Sequence, residues 1–434
     1  MTDTIDTKIT SKRNTSAISN AGLFAIAFLY FITRWLLSWK KTKSIDAIAN
    51  YEGQLEGSLV HRFIGIEKTL SGKTTDVTFH YVQSLNTEDE CVVFLHGFMD
   101  SWKLWQHTLE FLASRYHVVA FDLKGCGQSS MNYPQNLFPE INDPGGDYSI
   151  ALQAEEIAAA ITALGIEKFN LVTLDLGTII GDLLAGQYSD SIIRYIRCQQ
   201  PLIGHFRSSI PQGQFLRRKR GAKLLTTLLE SDASSLVRIL YGKTGWPVLD
   251  RQMKRTKYPM CDRLLDSAVR EASHPFKTGP KQCKPGTFTC AWAGLYQHNQ
   301  DYKKFIFNNI EAYKRYTFPV ILLQGIHDIA MPRDRFDGTT GMAFKLVRNV
   351  GGEKMFSRPF YADGRGLGDG YEAWGDLIPN CTKPLPVEAF FPKSPFIQLK
   401  FMDTGHFIPI EAPEQFTAVL NEVLSKPLIL CSLD

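Results

Sequence analysis

Five short apolar runs, each closing on or beside glycine, constrain this chain more than any other feature. They are residues 91–97 (CVVFLHG), 117–127 (HVVAFDLKGCG), 168–177 (KFNLVTLDLG), 318–325 (FPVILLQG) and 396–406 (FIQLKFMDTGH). Apolar runs of this length, bounded by Gly or Pro, read as strands buried on both faces of a parallel sheet. Residues 149–165 (SIALQAEEIAAAITALG) instead repeat apolar positions at helical spacing and stop at glycine, and residues 414–424 form a similar amphipathic segment. Strands alternating with helices imply an α/β fold, a doubly wound and mostly parallel sheet with helices on both faces.

Two segments interrupt that alternation. Residues 202–315 are helical, polar and basic, and they fall between two core strands, so they read as an inserted cap. Residues 333–395 are rich in glycine and aromatics and read as a long surface insertion. Within them GRGLGDG, at 364–370, lacks the preceding strand and following helix that a phosphate-binding loop needs. The core is thereby divided into residues 44–201 and 316–434. The basic run Arg217, Arg218, Lys219 and Arg220 reads as a solvated helix face, with a membrane-facing patch as the alternative.

The amino-terminal region carries a different signal. Residues 1–20 are polar and read as a disordered tail. Residues 21–39, AGLFAIAFLYFITRWLLSW, are followed at once by Lys40, Lys41 and Lys43. About 20 apolar residues suffice to cross a bilayer. Arg34 lies near one end and can snorkel, and Trp35 and Trp39 suit the interface. A buried core helix is the competing reading; a cleaved signal peptide lacks its small-x-small site. Residues 21–43 therefore read as a membrane anchor with a basic flank. The lysines favour a cytosolic catalytic part on an endomembrane such as the endoplasmic reticulum. The sequons at Asn14 and Asn380 would matter only in the opposite orientation.

Composition excludes several classes. The 434 residues carry 48 basic and 44 acidic side chains, a net charge of +4, which is too weak to imply nucleic-acid binding. Eight cysteines with no C-x-x-C pair argue against a disulfide scaffold and a structural zinc.

Ligands of open α/β sheets sit at the carboxyl ends of strands. Asp175, Asp328 and His406 stand at such ends, each beside or near a glycine. Asp175 occupies the centre of Thr173-Leu174-Asp175-Leu176-Gly177, the small-x-nucleophile-x-small pattern of a strand-to-helix elbow. No G-x-S-x-G occurs, so a carboxylate, rather than a serine, takes the nucleophile's place and implies an enzyme-bound ester; an N-cap role is the plainer alternative. His406 follows the last strand, where a triad histidine belongs, and Asp328 is its orienting acid, with Asp403 as competitor. The amides of Phe98 and Leu176 suit an oxyanion hole. A metal site from His96, His327 and His406 is the rival arrangement, but no paired ligand motif surrounds them.

These residues resemble the α/β-hydrolase superfamily, in the branch of epoxide hydrolases and haloalkane dehalogenases. HGFMDSWKLW, residues 96–105, resembles the epoxide-hydrolase HGFP-x-SW-x-x-W segment, and AFDLKGCGQSS, residues 120–130, its D-x-K/R-G-x-G-x-S segment. The likeness spans about residues 79–201 and 313–424. It implies Asp175 as nucleophile, Asp328 as acid, His406 as base and Tyr313 as the cap tyrosine protonating the epoxide oxygen. Three positions depart from it: Met99 replaces a proline, Leu176 replaces the tryptophan that binds halide in dehalogenases, and residues 202–240 hold no first tyrosine. The expected activity is opening of a small lipophilic epoxide to a diol in a pocket lined by Trp102 and Trp105, with no cofactor and no metal. Dehalogenation, ester hydrolysis and cofactor-free luciferase-like oxygen chemistry remain alternatives on this scaffold, as does a non-catalytic membrane-tethered binding protein.

Overall fold

The computed structural model describes residues 52–70, 73–98, 100–129, 150–200, 262–272, 311–325, 345–348, 354–357, 360–361, 384–385 and 391–426. The apolar segment 21–39, Asp328, His327, the glycine loop 364–370 and most of the cap region lie outside them. Among the described residues no helix is long and apolar enough to cross a membrane.

Strands β1 (Leu55–Glu56), β2 (Leu59–Leu70), β3 (Lys73–Ser84) and β4 (Cys91–Leu95) lead into a one-turn 3₁₀ helix, Trp102–Trp105, and helix α1 (Gln106–Leu112). Then come β5 (His117–Phe121), α2 (Ile150–Ala163), β6 (Phe169–Leu174), α3 (Leu176–Gln187) and β7 (Ile192–Cys198). Helix α4 (Asp262–Ala272) precedes β8 (Val320–Gly325). The insertion contributes two short antiparallel pairs, β9 (Lys345–Arg348) with β10 (Lys354–Ser357) and β11 (Phe360–Tyr361) with β12 (Pro384–Leu385). The chain returns through β13 (Ile397–Met402), α5 (Ile408–Glu411) and α6 (Pro413–Ser425).

Among the described residues nine strands form one sheet in the order β1-β2-β3-β5-β4-β6-β7-β8-β13. The pairings from β5 across to β13 are parallel, whereas β1, β2 and β3 join antiparallel at one edge. The reason lies in the side chains. Every residue of β4, β5, β6 and β8 is buried, as expected of strands covered by helices on both faces. The five runs read from the sequence thus become β4, β5, β6, β8 and β13, and the segment around 149–165 becomes α2.

The sequence reading omitted the β2–β3 hairpin and β7. In β7, Arg194 and Arg197 break the apolar run. Both arginines are nevertheless buried, because each has acceptors waiting. Arg194 donates to Glu90 at 3.1 Å and to Asn170 at 3.0 Å. Arg197 grips Asp182 of α3 with two bonds of 2.9 and 2.8 Å. The hydroxyls of Tyr195 and Tyr313 donate to the same carboxylate at 3.0 and 2.7 Å, and that of Tyr316 donates to the Asp182 carbonyl at 2.8 Å. This cluster ties α3 to β7 and to the segment entering β8.

Of the cap region, α4 is the principal described part. It turns Leu264, Leu265, Ala268, Val269 and Ala272 inward. It packs on the 3₁₀ turn after β4, and its Glu271 accepts from Gln128 in the loop after β5 at 2.8 Å. It therefore lies against loops that leave the carboxyl ends of strands.

The buried ion pair generates a prediction. Asp182→Ala would strand the Arg197 guanidinium without its acid, a loss of about 3–5 kcal/mol for a broken buried pair. Denaturant unfolding of the full chain should show the midpoint falling accordingly.

Candidate active site

Asp175 directly follows β6 and caps α3 with φ 50° and ψ −115°, a conformation that non-glycine residues avoid. It can hold there because the elbow is clamped from several sides. The Asp175 N–H donates to the Cys198 carbonyl at the end of β7, 3.3 Å away, while Thr178 and Ile179 N–H groups return to the Asp175 carbonyl. Gly177 lets the helix sit directly on the end of β4: a Cβ there would lie 2.4 Å from the carbonyl oxygens of both Leu95 and His96. Strain of this kind concentrates where a side chain must be presented at a fixed point.

The two carboxylate oxygens of Asp175 have different neighbours. Oδ1 accepts the Phe98 backbone N–H at 3.0 Å. Oδ2 faces Nε2 of His406 at 3.6 Å, and the two side chains keep 10% and 12% of their surface accessible. That separation exceeds a direct hydrogen bond. Leu176 supplies the first amide of α3; like all first-turn amides it has no partner within its helix. Asp175, His406, Phe98 and Leu176 are thus brought together at the carboxyl ends of β4, β6 and β13.

His406 sits in a turn that the sequence reading left unexplained. The carboxylate of Glu411, at the end of α5, accepts the Gly405 N–H at 2.6 Å with one oxygen and the Phe407 N–H at 3.0 Å with the other. One buried acid therefore fixes the backbone on both sides of His406. The signal was present as an acid five residues after the histidine, but only the short helix shows that it folds back.

Tyr313 and the two tryptophans, expected at the site, meet a different arrangement. Tyr313 is fully buried, and its hydroxyl donates to Asp182 at 2.7 Å instead of facing Asp175. Asp182 lies seven residues along α3, roughly 10 Å from the elbow at 1.5 Å per residue. Burial, then the neighbouring Asp182 charge, raises the Tyr313 phenol above its ordinary range, so it is a poorer acid. The physical reason for the misplacement is that Tyr313 precedes β8, at the amino end of the sheet. Trp102 and Trp105, expected to line a pocket, are both wholly buried. Trp105 packs between Phe94 and Phe416, and Trp102 meets His61 edge-on under the Lys103 ammonium. They are core residues here. His96 has both ring nitrogens engaged: Nε2 accepts the Leu123 N–H at 2.9 Å, and Nδ1 lies 2.8 Å from the Gly97 carbonyl. Neither is open to a metal, and among the described residues no group of three or more candidate ligands converges.

The fold and the elbow together define an α/β-hydrolase fold. Residues 90–202 match the family model described as alpha/beta hydrolase fold. Over 138 residues, 32% of this chain and 32% of the relative, the chain is 30% identical to Epoxide hydrolase 1 of Caenorhabditis elegans. Over 124 residues it is 31% identical to Epoxide hydrolase 4 of Mus musculus, covering 29% of this chain and 32% of the relative. The matches thus span about a third of those relatives' length. The epoxide hydrolase VrEH1 from Vigna radiata superposes with a TM-score of 0.50 at 17% identity, covering 85% of this chain and 98% of that one. An epoxide hydrolase from Bacillus megaterium gives 0.50 at 18%, covering 81% and 98%. At such identities the structural likeness speaks to the fold.

The environment of His96 makes a second prediction. Burial lowers its pKa from the ordinary value near 6.5, because the interior disfavours the charged ring. With Nε2 accepting, the ring is neutral with its proton on Nδ1. Imidazole nitrogen resonances followed as the pH is lowered should show His96 protonating at a lower pH than a free imidazole.

Proposed function

We propose that this chain is a hydrolase that opens epoxides to diols through an ester on Asp175, with His406 as base. The observation that carries the reading is the unequal setting of the two Asp175 oxygens. Oδ1 rests on an oxyanion-type amide, and Oδ2 faces the imidazole. The names of the epoxide hydrolases that the chain matches over 138 and 124 residues support the same chemistry.

The steps follow from that asymmetry. Oδ2 bonds to an epoxide carbon as the ring C–O bond breaks, and the ring oxygen takes a proton from solvent. A water then adds to the Asp175 carbonyl carbon, giving its proton to His406 Nε2. Negative charge develops on Oδ1, where the Phe98 and Leu176 amides stabilise it. The tetrahedral species collapses, the ester C–O bond breaks, the imidazolium returns the proton to the departing oxygen, and Asp175, left as the acid, releases to solvent a proton equal to the one taken up at ring opening. One water is consumed and one diol released. Asp328 is proposed as the acid that orients His406, and a positioned general base contributes about 10²–10⁴-fold. Tyr313 is left out of this scheme because its hydroxyl is committed to Asp182.

The same reading takes the substrate to be lipophilic and residues 21–39 to anchor the chain in a membrane, with the catalytic part cytosolic. Asp175→Ala should abolish turnover of a panel of lipophilic epoxides. His406→Gln should retain a substrate-sized mass increment on Asp175 in intact-protein mass spectrometry. Turnover by Asp175→Ala rejects the scheme. On fractionation, the full chain should remain in the membrane pellet after alkaline carbonate, and deletion of residues 21–39 should release it.

A further inference from the structure

Only two non-glycine residues among those described adopt positive φ: Asp175 at 50° and Gln199 at 53°. They stand at the carboxyl ends of adjacent strands, β6 and β7, whose last residues Leu174 and Cys198 are paired in register. The strain at Asp175 presents the nucleophile. The strain at Gln199 aims a wholly buried amide side chain into the space between β8 and β13.

That side chain is a bridge. Its Oε1 accepts the Gly325 N–H at 2.9 Å, at the end of β8. Its Nε2 donates to the carbonyl of Gly405, the residue before His406. The Gly405 N–H goes to Glu411, so side chains hold the backbone of Gly405 at both its amide hydrogen and its carbonyl. No side chain could share the space. A Cβ on Gly325 would lie 2.1 Å from the Gly405 oxygen and 2.8 Å from Gln199 Nε2, and one on Gly405 would lie 2.8 Å from a Glu411 oxygen. The Gln199 backbone adjoins the nucleophile as well: the Cys198 carbonyl just before it receives the Asp175 N–H at 3.3 Å, and the Gln199 N–H donates to Leu323 at 2.9 Å.

We infer that Gln199 is a positioning residue that sets His406 relative to Asp175 by spanning the ends of β8 and β13. The inference rests on the reading of Asp175 as nucleophile and His406 as base. Gln199 touches neither the ester nor the water, so its influence falls on the half-reaction that uses His406. Alkylation of Asp175 does not need the base and proceeds without it.

Gln199→Glu tests this with little change of shape. One carboxylate oxygen still accepts from Gly325, but an ionised second oxygen meets the Gly405 carbonyl, acceptor against acceptor. When protonated, the acid donates there and restores the bridge. Burial raises a carboxyl pKa, which brings this change into the working pH range. In single-turnover experiments on the full chain with styrene oxide, alkylation should proceed at the wild-type rate. Ester hydrolysis at pH 8.5 should be slower by about 10²-fold, the cost of a misplaced group of roughly 1 Å. The ratio of variant to wild-type hydrolysis should recover as pH falls towards 5.5, whereas Gln199→Ala stays slow throughout. Unchanged ester hydrolysis in both variants overturns the inference. So does an equal slowing of both half-reactions in step with a lower Tm.

A second readout does not need turnover. The His406 imidazole nitrogen signals, identified by their absence in His406→Gln, should shift with pH in Gln199→Glu along a transition missing from the wild type. Superimposable His406 titrations in the two proteins overturn the inference. If wild type and His406→Gln both fail to form an adduct, the epoxide reading fails by itself, and these spectra still decide whether Gln199 positions the ring.

Discussion

The approach of helix α3 onto strand β4 is the contact on which the site depends. Backbone meets backbone at Gly177 so closely that a methyl group would sit inside van der Waals contact of two carbonyl oxygens. That proximity holds the elbow tight and keeps Asp175 at φ 50° although an L-residue would relax elsewhere. It also brings the Phe98 amide, which follows β4, within 3.0 Å of Oδ1. The elbow carboxylate and the amide that meets it are consequences of one packing distance.

Around this elbow the molecule uses buried charge as fastening. Arg197 and Asp182 form a bidentate pair, both about 1% exposed, and three tyrosines surround them. Asp122, after β5, accepts from the Trp102 and Gln128 amides and from His80. Burial alone would raise its pKa, but the nearby His80 and these bonds hold it below the ordinary carboxylate range. Glu411 fastens the His406 turn in the same manner. Each acid satisfies two or more donors, which is what makes an interior carboxylate tolerable.

The difference between β4 and β7 explains which strands could be read. β4 is uninterrupted apolar residues, so its burial is visible in the sequence. β7 is equally central, yet Arg194 and Arg197 give it a surface-like pattern, since their partners Glu90 and Asp182 are remote in the chain. Tyr313 shows the same effect at the site. Its spacing suited a cap tyrosine, but a residue's role follows from which end of the sheet it reaches, and Tyr313 enters β8 at its amino end. The tryptophans of the 96–105 segment were legible as a motif, but it took the 3₁₀ turn to place both rings in the core.

Apolar periodicity and glycine placement were enough to determine the alternating α/β order, the elbow at residue 175 and a histidine after the last strand. These depend on local rules, because strand burial and tight turns leave their mark within a few neighbouring residues. The tertiary structure alone decided the meeting of Asp175 with His406 across a sequence separation of 231 residues, the Glu411 clamp, and the Gln199 bridge. Those contacts join residues whose side chains look ordinary in isolation, and only strand order brings β6, β7, β8 and β13 edge to edge so that their ends share one site.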